Sequence, residues 1–130
     1  MLINLSNHPS EKWSENQLCA AHEAYGDIMD FPFPEIDAAA SEDEICTLAF
    51  DKANEITAIG PTAVLCQGEY SFTFAVTAEL IRRGIPVICA TSVRPAIDAP
   101  MPDGSTQKQI IFRFERFREY KAVAASESIE

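Results

Sequence analysis

Thr62-Ala63-Val64-Leu65-Cys66-Gln67-Gly68-Glu69-Tyr70-Ser71-Phe72-Thr73-Phe74 changes character in the middle. The apolar run Ala63 to Cys66 stops at Gln67-Gly68-Glu69, and a helical spacing starts at once and continues to Arg83. A strand that turns tightly into a helix puts its polar corner at the carboxyl edge of a sheet, where open α/β sheets hold ligands. Gly68 lets backbone or ligand approach closely. The following helix start offers free N–H groups. Gln67, Glu69, Ser71 and Thr73 add groups that can hydrogen-bond or move protons.

Outward from this corner the same alternation recurs. Leu2 to Leu5 reads as a first strand, ending in the polar loop Ser6-Asn7-His8-Pro9-Ser10. Ser14 with Gln17 is a capping-box signature, and its helix runs through Leu18, Ala21 and Tyr25 to Gly26. Asp27 to Phe31 is a second strand, stopped by Pro32 and Pro34. Ser41 with Glu44 opens a second helix, whose stripe is Ile45, Leu48, Ala49, Ala53, Ile56 and Ile59. In the third helix Phe72, Val76, Leu80 and Ile81 are expected to face the sheet, with Gly84 as its cap. Pro86 to Ala90 is a fourth strand, Thr91 to Gln107 a long loop with Pro95, Pro100 and Pro102, and Gln109 to Tyr120 an alternating, half-exposed edge strand. Its Phe112, Phe114 and Phe117 read as core or dimer contact, and Arg113, Arg116 and Arg118 as edge protection.

This order predicts one α/β domain over residues 1–120 and a frayed tail over 121–130. The expected sheet is small, doubly wound and mostly parallel, in the order 2-1-3-4-5. Helices cover both faces and strand 5 is antiparallel. The switch point between strands 1 and 3 would bring Ser6, Asn7 and His8 beside the Gln67–Glu69 corner, with Thr91, Ser92 and Arg94 next to them.

Composition limits the chemistry. The chain has 130 residues, 47% of them hydrophobic, and a net charge of −10. The whole excess lies in residues 1–60, with 12 acidic and 2 basic residues, while residues 61–130 balance at 8 of each. Such a charge argues against duplex nucleic acid, whose binding requires phosphate neutralisation. It leaves room for a small anionic ligand. No apolar stretch approaches the roughly 20 residues of a membrane span, and the first residues do not form a signal peptide. Cys19, Cys46, Cys66 and Cys89 show no paired spacing and read as buried apolar residues in a reducing cytoplasm. With His8 and His22 the only histidines, no metal site and no cofactor are expected. The sequence has no Gly-Lys phosphate loop, no dinucleotide fingerprint and no serine-hydrolase elbow.

Each candidate has two readings. His8 is a general acid or phosphate donor, or part of a plain turn. Glu69 meets a ribose hydroxyl or takes a proton, or only stabilises the helix start. Ser71 and Thr73 meet ligand or satisfy the first helical N–H groups. Arg94 is a phosphate fork or a solvated loop residue. Tyr70 stacks on a base or packs on the next loop.

Leu-Ile-Asn-Leu-Ser-Asn-His-Pro at residues 2–9, Gly-Glu-Tyr-Ser-Phe-Thr-Phe at 68–74 and Cys-Ala-Thr-Ser-Val-Arg at 89–94 carry a resemblance. The chain resembles small accessory proteins of type III CRISPR systems. Those are similar to the Rossmann-like CARF sensor domains that bind cyclic oligoadenylates, and some act as ring nucleases. The resemblance implies a homodimer with the cyclic messenger lying across its two-fold axis. It also implies metal-independent cleavage by 2′-hydroxyl attack on the adjacent phosphate, which ends the antiviral signal. On that reading Asn7, Ser71 and Arg94 hold phosphate, His8 protonates the leaving oxygen and Glu69 orients or deprotonates the 2′-hydroxyl. Ser6, Gln67, Gly68, Tyr70, Thr73, Thr91 and Ser92 complete the expected ligand-binding set. A nucleotide-binding module without catalysis, and a small hydrolase or transferase of another phosphorylated or nucleoside metabolite, are the alternatives.

Overall fold

The computed structural model describes residues 1–94, 96–110 and 112–124. Along the chain it forms β1 (Leu2–Ser6), a 3-10 turn (Ser10–Lys12), α1 (Glu15–Tyr25), β2 (Ile28–Pro32), α2 (Glu42–Ile59), β3 (Ala63–Gln67) and α3 (Tyr70–Arg82). Then come β4 (Val87–Val93), β5 (Ala96–Pro100), β6 (Thr106–Ile110) and β7 (Arg113–Glu119). A mostly parallel, mixed sheet of 5 strands has the order β2-β1-β3-β4-β7, with β7 antiparallel to β4.

Strand alternation divides the core into two halves. Ile3, Leu5, Val64, Cys66 and Val87 face one side, where Ile45, Ala49, Ala53 and Ile56 of α2 and Phe72, Val76 and Leu80 of α3 cover them. Leu2, Ala63, Leu65 and Ile88 face the other side, under Trp13 and Ala21. Each such large apolar side chain stabilises the fold by about 1.5–3 kcal/mol when removed from water. Because α1 crosses on one face and α2 and α3 on the other, the chain reverses its winding between β1 and β3.

The helix ends follow their sequence signals. At α2, Ser41 N donates to Glu44 Oε1 (2.9 Å) and Glu44 N donates to Ser41 Oγ (3.2 Å), a complete capping box. At α1 only half of the expected box forms, with Gln17 N donating to Ser14 Oγ at 3.2 Å. Gly60 closes α2 in the left-handed region at φ 74°.

Several expectations need correction. The last sheet strand is the seventh of the chain, not the fifth, because a hairpin intervenes. Residues 91–107 are not one loop: β4 continues to Val93, and β5 pairs with β6 from Pro100↔Thr106 to Ala96↔Ile110. The single alternating strand of residues 109–120 is therefore divided between β6 and β7. Its alternation also fails inside β7. A register shift between Thr91 and Ser92 pairs them with Arg116 and Phe114, so Glu115 is an extra residue. That bulge puts the half-buried Phe114 and Phe117 on one face at a spacing of 3. Phe112, expected as core or dimer contact, is 69% exposed and so is not part of the core.

Ile81 points outward, and the buried Thr77 takes its place on the sheet side of α3. Cys19 and Cys46 are exposed rather than buried, Cys89 is half-buried and only Cys66 is fully covered. The domain closes where Tyr120 Oη donates to the Cys66 carbonyl at 3.0 Å. Residues 121–124 are exposed and without regular structure. The rest of the expected tail, residues 125–130, lies outside the described residues, as do Pro95 of the expected loop and Ile111 of the expected strand. Among the described residues no helix is long and apolar enough to cross a membrane.

Candidate functional site

β1, β3 and β4 run parallel and release their chains at one edge. On the α1 side of that edge lies a cleft of about 750 Å³, within the roughly 300–1,000 Å³ of small-molecule sites. Ser6, Leu65, Gln67, Gly68, Ala90 and Ser92 line it from the sheet. Asn7, His8, Lys12, Trp13, Ser14 and Gln17 line it from the loop after β1 and the start of α1. Phe112 and Phe114 form the wall toward β7. A second hollow of about 450 Å³ is lined by Asn7, Phe33, Pro34, Glu35, Ile36 and Glu69. Phe33 and Ile36 pack with the α2 and α3 half of the core, so this hollow opens on the opposite side of the sheet. Asn7 stands between the two.

The loop after β1 is fixed by a side chain that the sequence reading missed. Asn4 is 1% exposed in a central strand. Its Nδ2 donates to the His8 carbonyl and to Asp30 Oδ1, each at 2.9 Å, and its Oδ1 accepts from Ser6 Oγ at 2.7 Å. Trp13 Nε1 donates to the same His8 carbonyl at 3.0 Å. Asp30 also accepts from Ser10 N at 3.1 Å and Ser10 Oγ at 3.1 Å. His8 N donates to Ser6 Oγ at 3.2 Å. A buried amide must find partners for its donors and acceptor. Asn4 finds all of them in the loop and the next strand, which fixes the backbone that carries Asn7 and His8. A lone Asn among apolar strand residues was the available signal. Lys12 and Trp13, also missed, follow from the 3-10 turn that returns the chain over the sheet.

The corner after β3 is held differently. Glu69 is the N-cap of α3: its carboxylate accepts from Phe72 N at 2.8 Å and from Ser71 Oγ at 2.7 Å. Those donors, the Phe72 N–H first, hold its pKa below the ordinary value. Gly68 is required by a neighbour rather than a ligand, since a Cβ there would run into the ring of Phe33. Phe33 in turn meets Phe72 edge-on at 5.2 Å. Gln67 Oε1 accepts from Ala90 N at 2.6 Å, joining β3 to β4 beyond their last backbone pair, Leu65↔Ile88. Below the corner, burial pushes the Cys66 thiol up to about 11, offset in part by the Thr77 and Thr73 hydroxyls.

The expected site residues are therefore only partly gathered. Ser6, Asn7, His8, Gln67, Gly68 and Ser92 line the main cleft. Glu69 lines the second hollow, so His8 and Glu69 do not face one another across a single site. Ser71 is committed to Glu69, and the Thr73 hydroxyl is shut away from solvent. Thr91 Oγ1 donates to the Arg116 carbonyl at 3.0 Å, within the sheet rather than a loop. Tyr70 is 91% exposed on α3 and packs on no loop. Arg94 sits at the rim, its guanidinium 5.1 Å from the centre of the Phe112 ring. Among the described residues no group of three or more His, Cys, Asp or Glu could hold a metal ion.

The fold and cleft define an α/β protein with a ligand-sized hollow at the carboxyl edge of its sheet. The chain belongs to the Uncharacterized protein MJ1673 family, whose model matches residues 1–118. A comparison with curated proteins gave no match.

Proposed function

We propose that this protein is a doubly wound, Rossmann-like nucleotide-binding module that captures a cyclic oligoadenylate in the cytoplasm. The observation that carries the reading is the cleft at the switch point between β1 and β3. It combines a fixed loop bearing Asn7 and His8, the cation Lys12 and an aromatic wall. A thermal-shift series with cyclic tetra- and hexa-adenylate, AMP and inorganic phosphate tests it. A specific ligand raises the melting temperature by mass action. Equal melting temperatures with every nucleotide at millimolar concentration would refute it.

The messenger would lie across a homodimer. Tyr70, Phe74, Ala78 and Ile81 form one exposed apolar stripe along α3, with Tyr70 at 91% and Phe74 at 77% exposure. A two-fold axis running along α3 would cover this stripe with its own copy and bring both carboxyl edges to one end, as a ring-shaped ligand requires. Phe74→Glu should then give a monomer by light scattering and weaken ring binding. A wild-type monomer at high concentration would remove this part of the proposal.

Cleavage is the second reading. His8 in the cleft favours it, as the acid that would protonate the leaving oxygen. Glu69 favours capture alone, because its carboxylate is committed to Phe72 N and Ser71 Oγ and faces the other hollow. Incubation with each ring in EDTA, followed by product separation, decides between them. A 2′,3′-cyclic phosphate product lost in His8→Ala would establish the nuclease, and an intact ring would leave capture.

A further inference from the structure

Phe112 is out of place for a structural aromatic. Phe117, farther along β7, sits 6.4 Å from Trp13 and 6.1 Å from Tyr25, inside the α1 half of the core. Phe114 leans on Phe117 at 4.9 Å and turns its remaining surface to the cleft. Phe112, two residues before Phe114, stands apart from these ring contacts. It lines the cleft, stays 69% exposed and has the Arg94 guanidinium over its ring at 5.1 Å. Leaving a phenyl ring in water forgoes much of its burial free energy, so an exposed ring on a cleft wall calls for an apolar, flat occupant.

We propose that Phe112, which shares the cleft wall with Phe114 and carries Arg94 on one face, is the stacking shelf for a purine base of the ligand. This rests on the nucleotide reading above and assigns the base end of that site. Three features support the assignment. Stacking on an aromatic ring needs only a flat π face. The Arg94 guanidinium covers one face of the ring, which leaves the opposite face for the base. On the floor, Gln67 has its Oε1 occupied by Ala90 N, which leaves the Nε2 donors of its amide. A donor at that point suits the ring-nitrogen acceptors of a purine. Lys12 and His8 line the wall contributed by the loop and the start of α1, where a phosphate completes the nucleotide.

Trp13 is the only tryptophan of the chain and lines the cleft, so its fluorescence reports occupancy directly. Titrations of wild type, Phe112→Ala and Phe112→Tyr with AMP, CMP and ribose 5-phosphate test the shelf. Wild type should prefer AMP over CMP. Phe112→Ala should weaken AMP by about tenfold, the size of one lost base stack, with ribose 5-phosphate unchanged. Phe112→Tyr should restore AMP binding. AMP affinity undiminished in Phe112→Ala, or an equal loss for ribose 5-phosphate, overturns the shelf while leaving the cleft as a nucleotide site. If wild type binds neither AMP nor cyclic tetra-adenylate, the nucleotide reading and the shelf fall together.

Discussion

Two turns meet at Asn7, and they are held in opposite ways. The turn after β1 is tied from beneath by buried Asn4 and from the side by Asp30 of the neighbouring strand. The turn after β3 is closed by its own Glu69, through bonds to residues two and three positions ahead. One turn depends on the whole sheet being assembled, whereas the other is a local cap that any helix start could carry. The backbone bearing His8 is therefore preorganised by buried polar bonds from the neighbouring strand, whereas the Glu69 carboxylate is held only by its own helix start, with Gly68 packed on Phe33 beside it. A binding site gains most from preorganisation, which favours the His8 side as the ligand side.

Asn4→Ala is expected to show this difference most strongly. It strips the His8 carbonyl and Asp30 of their buried donor, and should cost about 2–3 kcal/mol in urea unfolding. The same change should weaken nucleotide binding read by Trp13. A cost no larger than that of the exposed Asn7→Ala would break the comparison. Gly68→Ala comes next. Its new methyl meets the Phe33 ring, and overpacking of this kind costs about 1–3 kcal/mol. Adding Phe33→Leu should recover part of that loss, a coupling that a double-mutant cycle measures.

Glu69 should contribute less, with a pH signature. Its folded pKa lies below the ordinary 4.5, so its contribution is present above that value and lost as pH falls through the lowered one. Wild type should exceed Glu69→Gln in stability at pH 7, and the gap should narrow as pH falls below the ordinary carboxylate range. A gap independent of pH would mean that the cap works through shape rather than charge. The smallest effect concerns Cys66, beneath this corner. A thiol-reactive disulfide dye at pH 8 should label the exposed Cys19 and Cys46 quickly and Cys66 slowly. Cys66 is fully covered, and its thiol titrates near 11. Glu69→Ala should speed Cys66 labelling through local opening of α3, and an unchanged rate would show that the cap does not gate the corner.

Most of the sheet was legible because its signals are local. Ser41 with Glu44, Gly60-Pro61 and the break at Gln67-Gly68 each mark an element boundary with side chains close in sequence. The winding rule then brought the three strand ends together, and six of the expected residues line one cleft. The hairpin of β5 and β6 was not legible, because Asp98, Pro100 and Thr106-Gln107-Lys108 give it no apolar alternation and are exposed. Phe117 packs with the core as its aromatic stripe suggested, and the bulge at Glu115 is what lets it share a face with Phe114. Asn4 and Gly68 were misjudged for a shared reason: each is required by a residue distant in sequence, Asp30 in one case and Phe33 in the other. His8 and Glu69, expected around one ligand, line two hollows that share Asn7 at the sheet edge.

The ribbon of β5 and β6 has a further consequence. Among the described residues its strands pair with each other and not with the five-stranded sheet, and the flanking strands β4 and β7 are already sheet neighbours. The two sheet strands thus form one long hairpin whose connection carries a two-stranded ribbon of its own. Closing a longer connection costs little, about 0.6 kcal/mol for each doubling. This segment is where the scaffold tolerates insertion. Replacing residues 96–110 with a short turn, or with a fluorescent domain, gives a reporter fused beside the mouth of the cleft while the five-stranded platform folds as before.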